Sequence, residues 1–382
     1  MNPTSIPLSD PDISQAEIEA VKEVLQSVNL AGGPVVEEFE EAFAEYTGRR
    51  HAVALASGQI GLLFTLKAYG IGPGSEVIAS PYSWREAAHA ISLAGARPVF
   101  ADIDYWSGTL SPAKTAAAVT ETTRAIVAGN TNGHPAAWAE LQPIAERNGL
   151  ILIEDSTEAI GSSYKSSIVG SFGDCAIFDF SQPGPLSCGE GGMVVTDDAD
   201  IAAMLRRLRG RRPEERGSVV IGTEAPYRAG ISDVTAALGL AQLRRIDEIL
   251  ARRKQVERWY FDHVKSFEGI KDPYIAPDVT AVHWFLYLVH LGQRFTRSGR
   301  DAIIEDLRRE RVGAAAYCRP LHTQRLYVDM GYRRGNFSIT EKLADRAMAL
   351  PFHGHLTDER VAFIVGTLKD ASINVGAGSA IY

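Results

Sequence analysis

Residues 175–196 read Cys-Ala-Ile-Phe-Asp-Phe-Ser-Gln-Pro-Gly-Pro-Leu-Ser-Cys-Gly-Glu-Gly-Gly-Met-Val-Val-Thr. Two short apolar runs, Cys175–Phe180 and Gly192–Thr196, flank a loop rich in proline and glycine. Each run has the length of a buried strand, and the loop supplies the breaker residues that bound it. Upstream the same grammar repeats. His51–Leu55, Glu76–Ser80, Arg97–Asp102, Arg124–Gly129 and Leu150–Glu154 are further apolar runs, separated by stretches of helical periodicity. Strands that alternate with crossover helices predict an α/β fold with a mostly parallel sheet covered on both faces.

The flanking segments are helical. Ser14 and Glu17 have capping-box spacing, and Ile18, Val21, Leu25 and Val28 follow at helical intervals. After Gly32-Gly33-Pro34 a second amphipathic helix carries Val36, Phe39 and Phe43. A long helical pattern runs from Ser232 to about Phe267. Beyond it, His283–His290 reads as a buried strand, and Asp301–Arg311 and Ile339–Leu350 read as helices. Together these form a smaller α+β unit. Ser372–Tyr382 is small and polar enough to fray.

Composition narrows the function classes. The chain has 382 residues, 45% hydrophobic and 23% charged, which are ordinary globular values. A formal net charge of −8 argues against an electrostatic nucleic-acid binder. No apolar run reaches the roughly 18 residues of a membrane helix, and the N-terminus has no signal-like pattern. A cytoplasmic location is expected, with Cys175, Cys188 and Cys318 as buried thiols. Those three cysteines are too scattered for a metal motif, and no metal is expected.

The 175–196 run, together with Glu154-Asp155-Ser-Thr-Glu-Ala-Ile-Gly161, resembles the sugar aminotransferases of the DegT/StrS type, which are fold-type I pyridoxal phosphate (PLP) enzymes. Ser232–Leu243 resembles that family's long-helix signature, and Arg319–His322 with Tyr327 and Gly331-Tyr332 resembles its small-domain signature. The resemblance implies a seven-stranded central sheet, a smaller C-terminal α+β domain and a homodimer acting on a small molecule. Its boundaries are an N-terminal arm at 1–34 packing on the small domain, a large domain at 35–265 and a small domain at 266–382.

In the family the Schiff-base lysine stands five residues before the first glycine of Gly-Glu-Gly-Gly. Here that position is Gly184, which has no amine. Pro183 and Pro185 remove two backbone donors and fix two dihedrals beside it, so the loop has been rebuilt rather than merely shorn of one side chain.

The resemblance also maps the remaining pocket. Asp155, at the end of a buried strand, matches the aspartate that pairs with the cofactor's ring nitrogen. Glu158 matches the position beside the ring hydroxyl, and Trp84 matches the aromatic that stacks on the ring. Ser57, Gly58 and Gln59 stand where relatives open the phosphate-binding helix with a Thr in place of Gln59. Asp179 stands where relatives carry a phosphate-binding serine, two residues before Ser181. A carboxylate there repels a dianion. Arg228, the contribution from the partner subunit, either rescues phosphate binding or pairs with Asp179; the pair is expected, since Asp179 would otherwise be uncompensated. Asn130 occupies the family's histidine position.

For chemistry, Asp155, Glu158, Tyr317 and His322 are the candidates, with His322 as acid or base. Glu190, His134, Arg85, Arg319 and Cys188 lie in or beside the matched segments. The expectation is an enzyme with no cofactor, doing acid–base chemistry such as dehydration, cyclisation or condensation in the former cleft. The alternatives are a protein that binds PLP or pyridoxamine phosphate (PMP) non-covalently, and a non-catalytic subunit that completes a lysine-bearing paralogue.

Overall fold

The computed structural model describes residues 5–210, 226–265, 270–271 and 273–378. All seven expected runs are strands: β1 (His51–Leu55), β2 (Glu76–Ala79), β3 (Arg97–Phe100), β4 (Thr123–Gly129), β5 (Ile151–Asp155), β6 (Cys175–Asp179) and β7 (Gly192–Thr196). They form one sheet in the order β1-β7-β6-β5-β4-β2-β3. Only β7 runs antiparallel to its neighbours.

Period-two burial explains the layers. Val53, Leu55, Val127, Ile153, Ile177 and Val194 face one side, against the helices α3 (Gly58–Ala68), α4 (Arg85–Leu93) and Ala199–Arg209. Ala54, Ala176, Phe178 and Val195 face the other side and pack on Phe39, Phe43 and Leu240. Ile126, Ala128 and Leu152 extend that face towards Trp138 and Tyr260. Phe39, Phe43 and Phe178 are fully buried, each worth about 1.5–3 kcal/mol by removal from water.

The C-terminal part is a second, antiparallel four-stranded sheet of Ile270–Lys271, Tyr287–Leu291, Ala347–Leu350 and Ala315–Ala316, in that order. Arg297–Arg309 and Asp358–Gly378 supply helices to its core through Ile303, Leu307, Ile364 and Leu368. No described helix is long and apolar enough to cross a membrane.

Four readings of the sequence change. The long helix is two, Asp233–Arg244 and Ile246–Val264, broken at Arg245, whose guanidinium is drawn to Asp12, Glu17 and Glu248. The helix expected over Ile339–Leu350 stops at Ala344, and Ala347–Leu350 is a fully buried strand between two partners. A four-residue apolar run fits either state, and pairing decides it. In the first helix, Gln15–Leu25, the buried residues are Glu17 and Val24, while Ile18 and Leu25 are exposed and Val28 lies beyond its end. Of the tail expected to fray from Ser372, residues up to Gly378 are helical, and 379–382 lie outside the described residues.

Candidate active site

The C-terminal ends of the parallel strands converge on a cleft of about 450 Å³. Open α/β sheets place ligands at this edge, because every strand delivers its next residue there. β1 leads into Ser57 and Gly58, β5 ends at Asp155, and β6 ends at Asp179; all four line the cleft with Gln59, Trp84, Arg85, Glu86, Thr157, Ser181, Pro183, Glu190 and Phe285. No lysine is among these lining residues.

The floor is fixed from behind. Glu154 is fully buried, and its Oε1 accepts from Asn130 Nδ2 (2.8 Å), the Ser156 hydroxyl (2.7 Å) and Gly170 N–H (2.6 Å). Asn130 completes its set by accepting from Ala136 N–H at 2.8 Å and Trp138 Nε1 at 3.1 Å. Every strong donor and acceptor of that amide is used, so Asn130 anchors the strand ends. Asp155, on the opposite side of β5, faces the cleft and accepts from Thr157 N–H at 3.2 Å. Burial pushes its carboxyl above the ordinary range, and the charges of Asp179 and Glu86 add to this against the Thr157 hydrogen bonds.

Glu158 is buried one residue beyond the lining Thr157. Its Oε2 accepts from the Tyr317 hydroxyl and from Asn132 N–H. Its buried Oε1 has no hydrogen-bond partner among the described residues. Burial raises its pKa to about 8, outweighing the two hydrogen bonds to its charged form. At neutral pH the raised value favours the neutral acid over the charged form. Tyr317 is itself buried, and burial holds its phenol well above the ordinary value, so it acts as a donor. Trp84 stands with its ring near edge-on to Tyr317 (6.4 Å) and Phe285 (6.2 Å), forming one wall.

The opposite end is an anion cup that already holds an anion. Asp179 Oδ2 accepts from Gly58 N–H at 2.7 Å, and Oδ1 accepts from Ser181 N–H at 2.9 Å and from the Ser181 hydroxyl. Ser57 spends its hydroxyl on capping α3, accepting from Ile60 N–H at 3.2 Å. The expected Asp179–Arg228 pair is not formed within the chain. Arg228 lines a separate cavity of about 650 Å³ with Arg209 and Tyr227. Within the chain Asp179 is bonded by two backbone amides and a hydroxyl.

His322, His134, Cys188 and Arg319 are not among the residues that line the cleft. His322 is fully buried, with Nε2 2.9 Å from Glu341 Oε1 and its ring against Phe337. Burial lowers its pKa against the pull of Glu341. His134 bonds Pro135 O through Nδ1 and accepts Ala276 N–H at Nε2, so both ring nitrogens serve the fold. Burial pushes the Cys188 thiol up to about 12, leaving it protonated. Arg85, at the rim, is paired with Glu86 at 3.1 Å, and Arg319 is exposed. Among the described residues, no group of three or more His, Cys, Asp or Glu could hold a metal ion.

Sequence reading missed Asn132 and Phe285. Asn132 takes a positive φ of 50°, which aims its N–H at Glu158 while its Oδ1 accepts Leu286 N–H at 2.9 Å. Its signal was available, since asparagine between Thr131 and Gly133 is a residue that tolerates this conformation.

Residues 11–369 match the DegT/DnrJ/EryC1/StrS aminotransferase family. The chain belongs to that family. It is 34% identical over 376 residues to the spore coat polysaccharide biosynthesis protein SpsC of Bacillus subtilis, covering 96% of each chain. The PMP form of the putative sugar aminotransferase Spr1654 from Streptococcus pneumoniae superposes with a TM-score of 0.92 at 26% identity, covering 98% of this chain and 100% of that one. The PLP form of the same protein gives 0.91 at 26% identity, covering 97% and 99%. DesV of S. venezuelae, solved with a ketimine intermediate, gives 0.88 at 28% identity, covering 97% and 99%.

These DegT-family structures overturn the expectation of no cofactor. Proteins sharing this fold over nearly its whole length are solved with PLP or PMP. A cofactor-free cleft is therefore not the reading that the family supports.

Proposed function

We propose that this chain is a lysine-lacking enzyme of the sugar aminotransferase family, which holds a pyridoxal- or pyridoxamine-type ring in the cleft without a covalent link and acts on a small molecule. One observation carries the reading: a carboxylate, Asp155, is fixed in the cleft at the end of β5, while residue 184 is glycine and no lysine lines the cleft. Such a ring, when bound, supplies an electron sink through its protonated nitrogen.

The residues fit the ring and do not fit its phosphate. Among the described residues no basic group bonds Asp155, and a ring N–H⁺ would supply one, drawing the carboxyl back to its charged form. Trp84 and Phe285 offer apolar walls that exclude water from the ring faces. At the far end the amides that would serve a phosphate are taken by Asp179.

Without a lysine, proton transfer falls to this chain's other groups. Glu158, whose raised pKa favours its protonated form at neutral pH and whose orientation Tyr317 and Asn132 fix through Oε2, is the candidate acid beside the lining Thr157. We also infer a homodimer, supported by exposed apolar residues Ile18, Leu25, Val28 and Leu30 along and after the first helix.

The test is a binding one. Native mass spectrometry with pyridoxal and pyridoxamine should show a ring mass that dialysis removes, and borohydride should leave no pyridoxyl group on the polypeptide. Failure of either ring to bind, or a pyridoxyl group fixed to a lysine, would refute the reading.

A further inference from the structure

Asp179 behaves as an anion seated in a built site. Gly58 opens the eleven-residue helix α3, whose first amides carry the positive end of the helix dipole. One carboxylate collects that N–H, the Ser181 N–H and the Ser181 hydroxyl on its two oxygens. Charge-assisted bonds of this kind are about twice as strong as neutral ones. The local backbone is shaped to them. A Cβ on Gly58 would lie 2.9 Å from Asp179 Cβ and 3.1 Å from the Phe178 carbonyl oxygen, so the close approach requires glycine.

The lining that this chain itself supplies reinforces that polarity. Among the described residues Glu86, Asp155, Asp179 and Glu190 line the cleft beside one cation, Arg85, which is paired with Glu86. A dianionic phosphate ester entering here would have to displace Asp179 from its donors and then sit beside a carboxylate. A ligand carrying a positive nitrogen and a neutral hydroxymethyl arm meets neither obstacle.

We propose that the Asp179 carboxylate is a permanent occupant of the anion cup, so that the cleft takes a cationic aromatic amine without a phosphate ester in preference to its phosphorylated form. The ligand class rests on the ring-binding reading above; the role of Asp179 as the cup's occupant can be tested apart from it.

Calorimetric titration of pyridoxamine and pyridoxamine 5′-phosphate into wild type, Asp179→Ser and Asp179→Asn separates the two. In wild type the unphosphorylated amine should bind at least about tenfold more tightly, a difference of about 1.4 kcal/mol. Both substitutions should shrink or reverse that preference. Inorganic phosphate should raise the melting temperature of Asp179→Ser and leave wild type unmoved. Wild type binding the phosphate ester as tightly as the free amine, with the variants unchanged, overturns the proposal. If neither ring binds any of the three proteins, the ring reading fails by itself. In that case a phosphate response confined to Asp179→Ser still upholds Asp179 as the occupant, and an equal response in all three proteins overturns it.

Discussion

The Tyr317 hydroxyl donates a hydrogen bond to Glu158 Oε2 across 159 positions of sequence, joining the small C-terminal unit to the end of the central sheet. The bond fixes one oxygen of a buried acid and leaves the other without a partner among the described residues. It also links packing to chemistry. The same Tyr317 ring meets Tyr82 edge-to-face at 5.5 Å, so the phenol is positioned by apolar contacts before it bonds anything.

Burial raises the Glu158 pKa from 4.5 to about 8. The folded state thus binds this proton more tightly than the unfolded state. The contribution to stability is fully present below about pH 4.5 and is lost as pH rises through about 8. Glu158→Gln, which mimics the neutral acid, should flatten the fall in unfolding free energy across that window by on the order of 1–3 kcal/mol. Urea titrations at pH 5, 7 and 9 check it; parallel pH dependence in both proteins would show that Glu158 is already charged.

Tyr317→Phe removes a donor that stabilises the charged form of Glu158. The carboxyl should move further up, and the fold should lose about 1 kcal/mol, since one hydrogen bond disappears while the ring packing stays. Carbonyl-stretch infrared spectroscopy of the protonated carboxyl against pH reads the first effect, and thermal unfolding reads the second. A carboxyl titration unmoved by the change would show that the bond does not tune Glu158.

The sheet was legible because each strand is an apolar run closed by breakers, and such runs survive as strands whichever neighbours they find. The Glu154–Asp155 pair was legible too, as a strand end followed by a turn. What escaped the sequence depends on distant partners. Glu17 is buried because Arg245 and Gln242 reach it, so the helix turns Ile18 and Leu25 outward, against its own periodicity. Asp179 was expected to pair with Arg228 from the partner subunit, but the partners it has within the chain were not foreseen. Their Ser181 half is a local turn, and the Gly58 half comes from 121 residues away. His322 has the residue type of an acid–base group, yet Glu341 and Phe337 hold it elsewhere.

Gly58→Ala should destabilise the protein by about 1–3 kcal/mol, because the new methyl would overlap Asp179 Cβ at 2.9 Å and crowd the Phe178 carbonyl oxygen at 3.1 Å, pushing Asp179 out of the cup. The melting temperature should fall, and inorganic phosphate should not restore it, since the obstruction is steric. Recovery of stability on adding phosphate would mean that the methyl displaces only the Asp179 side chain.

Gly184 presents the opposite case. A Cβ there would find its nearest neighbours at 3.5 Å (Leu186 O) and 3.6 Å (Phe285 Cε2), ordinary contact distances, and the residue is not among the glycines with positive φ. Nothing in the backbone demands glycine, so Gly184→Lys should fold with a loss of less than about 1 kcal/mol. Its Cβ would lie against Phe285, which lines the cleft, and a lysine stem from that point can run along the aromatic wall. With pyridoxal and borohydride, the variant should gain one pyridoxyl mass at residue 184, and wild type should gain none. The unphosphorylated aldehyde is the reagent of choice, because Asp179 still fills the cup in this variant. Labelling spread evenly over surface lysines in both proteins would show that residue 184 does not address the cleft, and the assignment of this loop to the lost lysine would then fall.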